Sequence, residues 1–150
     1  MRKLLHVDSP GGRYHCDCAV VACFDNRFDA ALKKLLKRLG IERPDMIRIA
    51  GGSKALSSPE QSFERDFVVA HVRKSVNLHS TTRALLALHS DCGAYGGIEK
   101  RFGGSREAEI ACYEEEFRKA GEVLVEWFPG IEVGCYYIDF EGVWEVRPFK

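Results

Sequence analysis

The sequence predicts an α/β protein of three layers: a mostly parallel sheet of order 2-1-3-4, an antiparallel strand at its edge, and helices on both faces. Three observations lead there. Short apolar runs alternate with stretches of helical periodicity in the order βαβαβαββ, and such alternation builds parallel strands through right-handed crossovers. The run Cys18-Ala19-Val20-Val21-Ala22-Cys23 is apolar at every position, as a strand covered on both faces must be. The chain closes on two β runs around Glu141-Gly142, which reads as a hairpin.

Each element has its own warrant. After the first strand, Phe28, Ala31, Leu32, Leu35, Leu36 and Leu39 recur at helical spacing, and Gly40 stands where a helix stops. Met46 to Ala50 is a second strand, ending in Gly51-Gly52. A helix is expected to open at Ser58, with Pro59 in the first helical position and Gln61 completing a capping box; Phe63, Phe67 and Ala70 carry its periodicity toward Val76. Arg83 to Leu88 is a third strand, set between Thr81-Thr82 and a glycine-rich stretch. From Ser105 to Ala120 a helix turns Ile110, Tyr113 and Phe117 to one side and its glutamates to the other. Val133 to Ile138 and Val143 to Val146 are the closing strands.

Length and composition narrow the function. A chain of 150 residues, 45% hydrophobic, is the size of one domain spanning 1–150 and can build a core without staples. Its 22 basic and 22 acidic residues balance, which argues against a nucleic-acid partner. The basic cluster Lys33, Lys34, Lys37 and Arg38 reads as a solvated helix face. No apolar run approaches the roughly 18 residues of a membrane span. The signal-like start Met1-Arg2-Lys3-Leu4-Leu5 is cut short by His6 and Asp8, so a cytoplasmic location is expected. In that compartment the six cysteines are thiols, metal ligands or buried apolar residues rather than disulfides.

If the chain winds both ways from its first strand, the topological switch point lies between strands 1 and 3, where open α/β sheets bind their ligands. Cys23 ends strand 1, and His89 and Cys92 follow strand 3, so all three converge there. Two thiolates and an imidazole suit zinc, and three protein ligands leave a fourth position open, as in catalytic sites. In Cys23-Phe24-Asp25-Asn26-Arg27 alternate residues share a direction if the backbone is extended, so Asp25 and Arg27 can pair beside the metal. The competing reading makes that pair a cap for the helix near Phe28.

These segments resemble the β-class carbonic anhydrases. The family pattern Cys-x-Asp-x-Arg, Arg-Asn-Ala-Gly, His-x-x-Cys-Gly is met in order by Cys23-x-Asp25-x-Arg27, Arg48-Ile49-Ala50-Gly51 and His89-Ser90-Asp91-Cys92-Gly93. Gly134 to Gly142 resembles the family's penultimate strand and hairpin, and the likeness runs over roughly residues 16 to 147. It implies zinc held by Cys23, His89 and Cys92, and reversible hydration of carbon dioxide to bicarbonate by a zinc-activated water. Asp25 would orient the nucleophile and Arg27 would hold Asp25. It implies a homodimer or higher homo-oligomer as well. Alternatives on the same frame are hydrolysis of carbonyl sulfide or carbon disulfide, or a non-catalytic zinc module closed by Asp25 as fourth ligand. Two departures stand out: 22 residues precede Cys23, where the family carries partner-embracing helices, and Ile49 replaces asparagine.

Other residues carry less. Cys16-Asp17-Cys18 reads as ordinary packing beside a strand, and His6, His15, His71 and His79 as surface or capping groups rather than proton shuttles. Gly96-Gly97 and Gly103-Gly104 lack the lysine and serine of a phosphate loop, which argues against a nucleotide.

Overall fold

The computed structural model describes residues 1–147. Its centre is a five-stranded sheet in the order β2-β1-β3-β4-β5, formed by β1 (Cys18–Cys23), β2 (Pro44–Ile49), β3 (Arg83–His89), β4 (Glu132–Ile138) and β5 (Val143–Val146). The first four are parallel, and β5 returns antiparallel after the Glu141-Gly142 turn. Helices α1 (Asp29–Arg38), α2 (Lys54–Ser57), α3 (Ser62–His79), α4 (Ile98–Phe102) and α5 (Arg106–Trp127) complete the chain.

The apolar run of β1 is buried at all six positions because both faces are covered. Val20, Ala22, Leu85 and Ala87 turn to one face, against Leu32, Leu35 and Leu36 of α1. Val21, Leu86 and Leu88 turn to the other, against Leu56, Val68, Val72, Phe117 and Leu124 of α2, α3 and α5. The alternation of a strand's side chains sorts them in this way. Each large side chain removed from water contributes about 1.5–3 kcal/mol before chain entropy is counted.

Several sequence expectations need correction. The third helix begins at Ser62, not Ser58. Ser58 instead closes α2, its N–H donating to the Lys54 carbonyl at 2.8 Å. Its hydroxyl donates to Glu116 at 2.5 Å, so it has no capping role left. Phe63 and Phe67 share helical spacing but face outward, 66% and 47% exposed, while Val68, Val69 and Val72 pack inward. The apolar stripe of α3 thus runs on the β-branched residues rather than the aromatic ones. The glutamates of α5 do not all face solvent, because Glu109 and Glu116 are buried with Tyr113 and Phe117. That helix runs on to Trp127, β2 begins two residues before Met46, and the short helices α2 and α4 fill segments to which no element was assigned.

Candidate metal centre

Neighbouring parallel strands of similar length bring their carboxyl ends to one place. Ala22 of β1 lies beside Ala87 of β3, so Cys23 and His89, the last residues of the two strands, end side by side. Three residues after His89 the chain has turned back far enough to bring in Cys92. The turn is made at Asp91, whose φ of 55° is left-handed; aspartate tolerates that region better than most side chains. The Cys23 and Cys92 sulfurs and a His89 ring nitrogen lie within 4.8 Å of one another, and all three residues are buried.

On the far side of Cys23 the loop after β2 closes the wall. Gly52 has a φ of 53°, and a Cβ there would stand 2.7 Å from the Cys23 nitrogen and 2.8 Å from the Ala22 carbonyl carbon. Only glycine allows so close an approach. Arg48 fixes the same corner, its Nε donating to the Cys23 carbonyl at 2.8 Å and its Nη1 to Asp29 at 3.1 Å.

The donor atoms are disposed as a cation site would need. His89 Nδ1 donates to the Ser90 carbonyl at 2.8 Å, which fixes the tautomer and leaves Nε2 with its lone pair. That Nε2 is buried and has no hydrogen-bond partner among the described residues, an orphan that a metal would satisfy. The Phe28 ring stacks on the imidazole with centroids 4.5 Å apart. Cys23 is held below the usual thiol range, chiefly by a hydrogen bond from Cys92, with His89 and the N–H groups of Asp25 and Gly51 adding to it against burial. Cys92 is correspondingly pushed up by the Cys23 sulfur and by burial. Two sulfurs and an imidazole nitrogen with an idle lone pair make a donor set that fits zinc.

Asp25 and Arg27 lie immediately beside this cluster. The backbone N–H of Arg27 donates to Asp25 Oδ1 at 2.9 Å, so Asp25 caps the short 3-10 turn Asn26–Phe28. The Arg27 guanidinium also grips the same carboxylate, through Nε at 3.0 Å and Nη2 at 2.7 Å to Oδ2. The cap and the ion pair, alternatives in the sequence, coexist. The guanidinium holds the Asp25 carboxyl down at about 2. Oδ2 stands 3.9 Å from His89 Nε2. Above lies an open mouth of about 840 Å³, bordered by Asp25, Ala50, Gly93, Ala94 and Lys100.

Sequence reasoning passed over Asp91 and Glu109. Asp91 Oδ2 accepts from Arg27 Nη1 at 3.0 Å, and its carbonyl accepts from Nη2 at 3.1 Å. Glu109 accepts from the Asp91 N–H at 2.8 Å. The available signal was the spacing Glu109, Tyr113, Phe117, which puts a carboxylate in register with the apolar face of α5.

The residues given lesser roles sit elsewhere. His79 pairs with Asp45 at 2.8 Å and His71 bonds the Phe67 carbonyl at 2.8 Å. His6 approaches Asp8 at 3.3 Å, and His15 is exposed. All six cysteines are free thiols; Cys16 and Cys18 are buried, and burial pushes Cys18 up to about 12. Among the described residues no helix is long and apolar enough to cross a membrane.

Comparison with known proteins agrees with this geometry. The model of a family described as "Putative carbonic anhydrase" matches residues 14–149. An uncharacterized protein of Rickettsia bellii is 27% identical over 129 residues, covering 84% of this chain and 78% of its own. Among solved structures, carbonic anhydrase from Streptococcus mutans superposes with a TM-score of 0.63 at 19% identity, over 95% of this chain and 88% of that one. A tetrameric β-carbonic anhydrase of Sordaria macrospora gives 0.61 at 16% identity, over 89% and 81%. The apo form of a carbon disulfide hydrolase gives 0.59 at 15% identity, over 91% and 82%. The sheet order, the antiparallel edge strand and the matched sequence lead to one conclusion: the chain belongs to this carbonic anhydrase family and has the β-class fold.

Proposed function

We propose that the chain is a zinc-dependent lyase that interconverts carbon dioxide and bicarbonate, with Cys23, His89 and Cys92 as metal ligands and Asp25 and Arg27 as the working pair. One observation carries the reading: a buried, unpartnered His89 Nε2 sits among two sulfurs, with an Arg27-held carboxylate 3.9 Å away. A zinc ion held by Cys23, His89 and Cys92 would supply a water acidic enough to yield a nucleophile near neutral pH.

The chain's residues do the rest. Asp25 stays ionised and can only accept, so its Oδ2 would accept a hydrogen bond from the nucleophile's remaining O–H and so turn a lone pair toward the substrate carbon. Arg27 keeps Asp25 from swinging onto the metal, because ligation by Asp25 would cost its hydrogen bonds to the guanidinium. Ala50 and Ala94 give the mouth an apolar wall for a small neutral substrate, and the released proton leaves through the opening to solvent.

The same frame would serve hydrolysis of a carbon dioxide analogue, a reading favoured by the likeness to the carbon disulfide hydrolase fold. A single domain over 1–150, a cytoplasmic location suited to six free thiols, and a homo-oligomer, supported by the tetrameric neighbour, complete the proposal. Stopped-flow hydration of carbon dioxide across pH, run beside carbon disulfide turnover on the zinc-loaded protein, tests it. Hydration that rises with pH and exceeds carbon disulfide turnover is expected; zinc-loaded protein with neither activity contradicts it.

A further inference from the structure

Glu109 is a carboxylate with no exposed surface, buried in the first turn of α5. Removing a carboxyl group from water there is strongly unfavourable unless its oxygens are satisfied. No cation pairs with it among the described residues. It has two donors: the Asp91 N–H reaches Oε1 at 2.8 Å, and the Tyr137 hydroxyl reaches Oε2 at 2.8 Å. Tyr137 is itself buried, so it fixes the carboxylate against the sheet.

The first of these donors sits between two candidate metal ligands. Asp91 lies on the turn from His89 to Cys92, in a left-handed conformation that strains a non-glycine residue. A hydrogen bond from its N–H to a buried carboxylate offsets that strain and sets the direction in which the chain leaves toward Cys92. The same residue faces outward with its side chain, taking Arg27 on Oδ2 and the Ile98 N–H on Oδ1. A continuous line of hydrogen bonds therefore runs from Tyr137 through Glu109, Asp91 and Arg27 to Asp25.

We propose that Glu109 is a positioning residue for the metal centre: through the Asp91 N–H it holds the turn that carries Cys92 and presents Asp91 to Arg27. The proposal rests on the zinc reading given above. It assigns Glu109 no contact with substrate or metal. Its action is geometric, and outer residues of this kind typically govern metal affinity by 10–100-fold.

Two variants separate positioning from space-filling. Glu109→Gln keeps an acceptor for the Asp91 N–H, whereas Glu109→Met matches the volume and removes the acceptor. Zinc affinity is measured by chelator competition at a temperature where both variants are folded, and the absorption bands of the cobalt(II)-substituted proteins are compared. Glu109→Gln is expected to retain most of the affinity and the wild-type bands, and Glu109→Met to bind zinc about 10–100-fold more weakly with altered bands. If residue 109 only fills space, the two variants bind alike, and that result overturns the proposal. Amide exchange in the wild type gives an independent reading: the Asp91 N–H should be strongly protected, and rapid exchange there overturns the proposal without any mutation. A wild type that takes up no zinc overturns the function on which the proposal rests. A zinc-loaded wild type whose Met variant binds as tightly overturns the proposal alone.

Discussion

Arg27 divides its guanidinium between Asp25 and Asp91, and the division makes the side chain a fixed post rather than a mobile surface arginine. A planar fork with two anchored edges does this better than a lysine could. Asp25→Asn should therefore keep its zinc and lose activity by about 10²–10⁴-fold, since an amide cannot serve as the anionic acceptor. Parallel measurement of zinc content and hydration rate checks it, and wild-type turnover would reduce Asp25 to a cap. Asp45, at the other end of β2, offers a pH test. Burial alone would raise its carboxyl, but bonds from Ser75, Tyr14, His79 and Cys16 outweigh this and bring it from 3.8 down to about 2. A carboxyl lowered by folding stabilises the protein above its unfolded value, and that stability drains away as pH falls from about 4 toward 2. The shift is worth about 2 kcal/mol. Asp45→Asn should be less stable than wild type at pH 7 and equal to it near pH 2, as read from denaturant midpoints at both pH values. At this scale the sequence was legible where chemistry and spacing coincide, as at Cys23, Asp25 and Arg27. The bond from Asp91 to Glu109 was not, because it joins a turn to a helix face and leaves no local pattern.

Elements were legible where their periodicity was unambiguous. The strands β1, β3, β4 and β5 fall within a residue of the apolar runs that announce them. The start of α3 was misread because Ser58-Pro59 imitates a capping box, while Ser57 and Ser58 both turn their hydroxyls to Glu116. The true N-cap, Gln61, is in an extended conformation and makes no side-chain cap bond. Gln61→Ser should accordingly stabilise the protein by about 0.5–1 kcal/mol, visible as a rise in the thermal midpoint; no change would mean that the first turn of α3 is satisfied by water. Gly52 marks the opposite limit. Gly52→Ala must shift the end of β1 or the loop after β2, because its methyl would stand 2.7 Å from the Cys23 nitrogen in a left-handed backbone. A loss of about 1–3 kcal/mol is expected, together with weaker zinc binding. A Gly52→Ala variant with wild-type stability and zinc affinity would show that this corner yields freely.

For the whole molecule, topology does most of the work. Once strands 1 and 3 are neighbours and parallel, residues 66 positions apart must meet at their carboxyl ends. The sheet order was legible because handed crossovers leave few ways to thread such a chain. What packs on each face was less so. The sequence marks which strand residues are apolar but not which helix covers them, so Glu109 and Glu116 went unrecognised as interior groups. The outward Phe63 and Phe67 were missed for the same reason.

The central claim is that Cys23, His89 and Cys92 hold a metal, and elemental analysis of the purified protein tests it most directly. About one zinc per chain is expected in the wild type and far less in Cys92→Ser, since a hydroxyl is a poor replacement for a thiolate ligand. A wild type without zinc, or a Cys92→Ser variant that keeps its full complement, would contradict it.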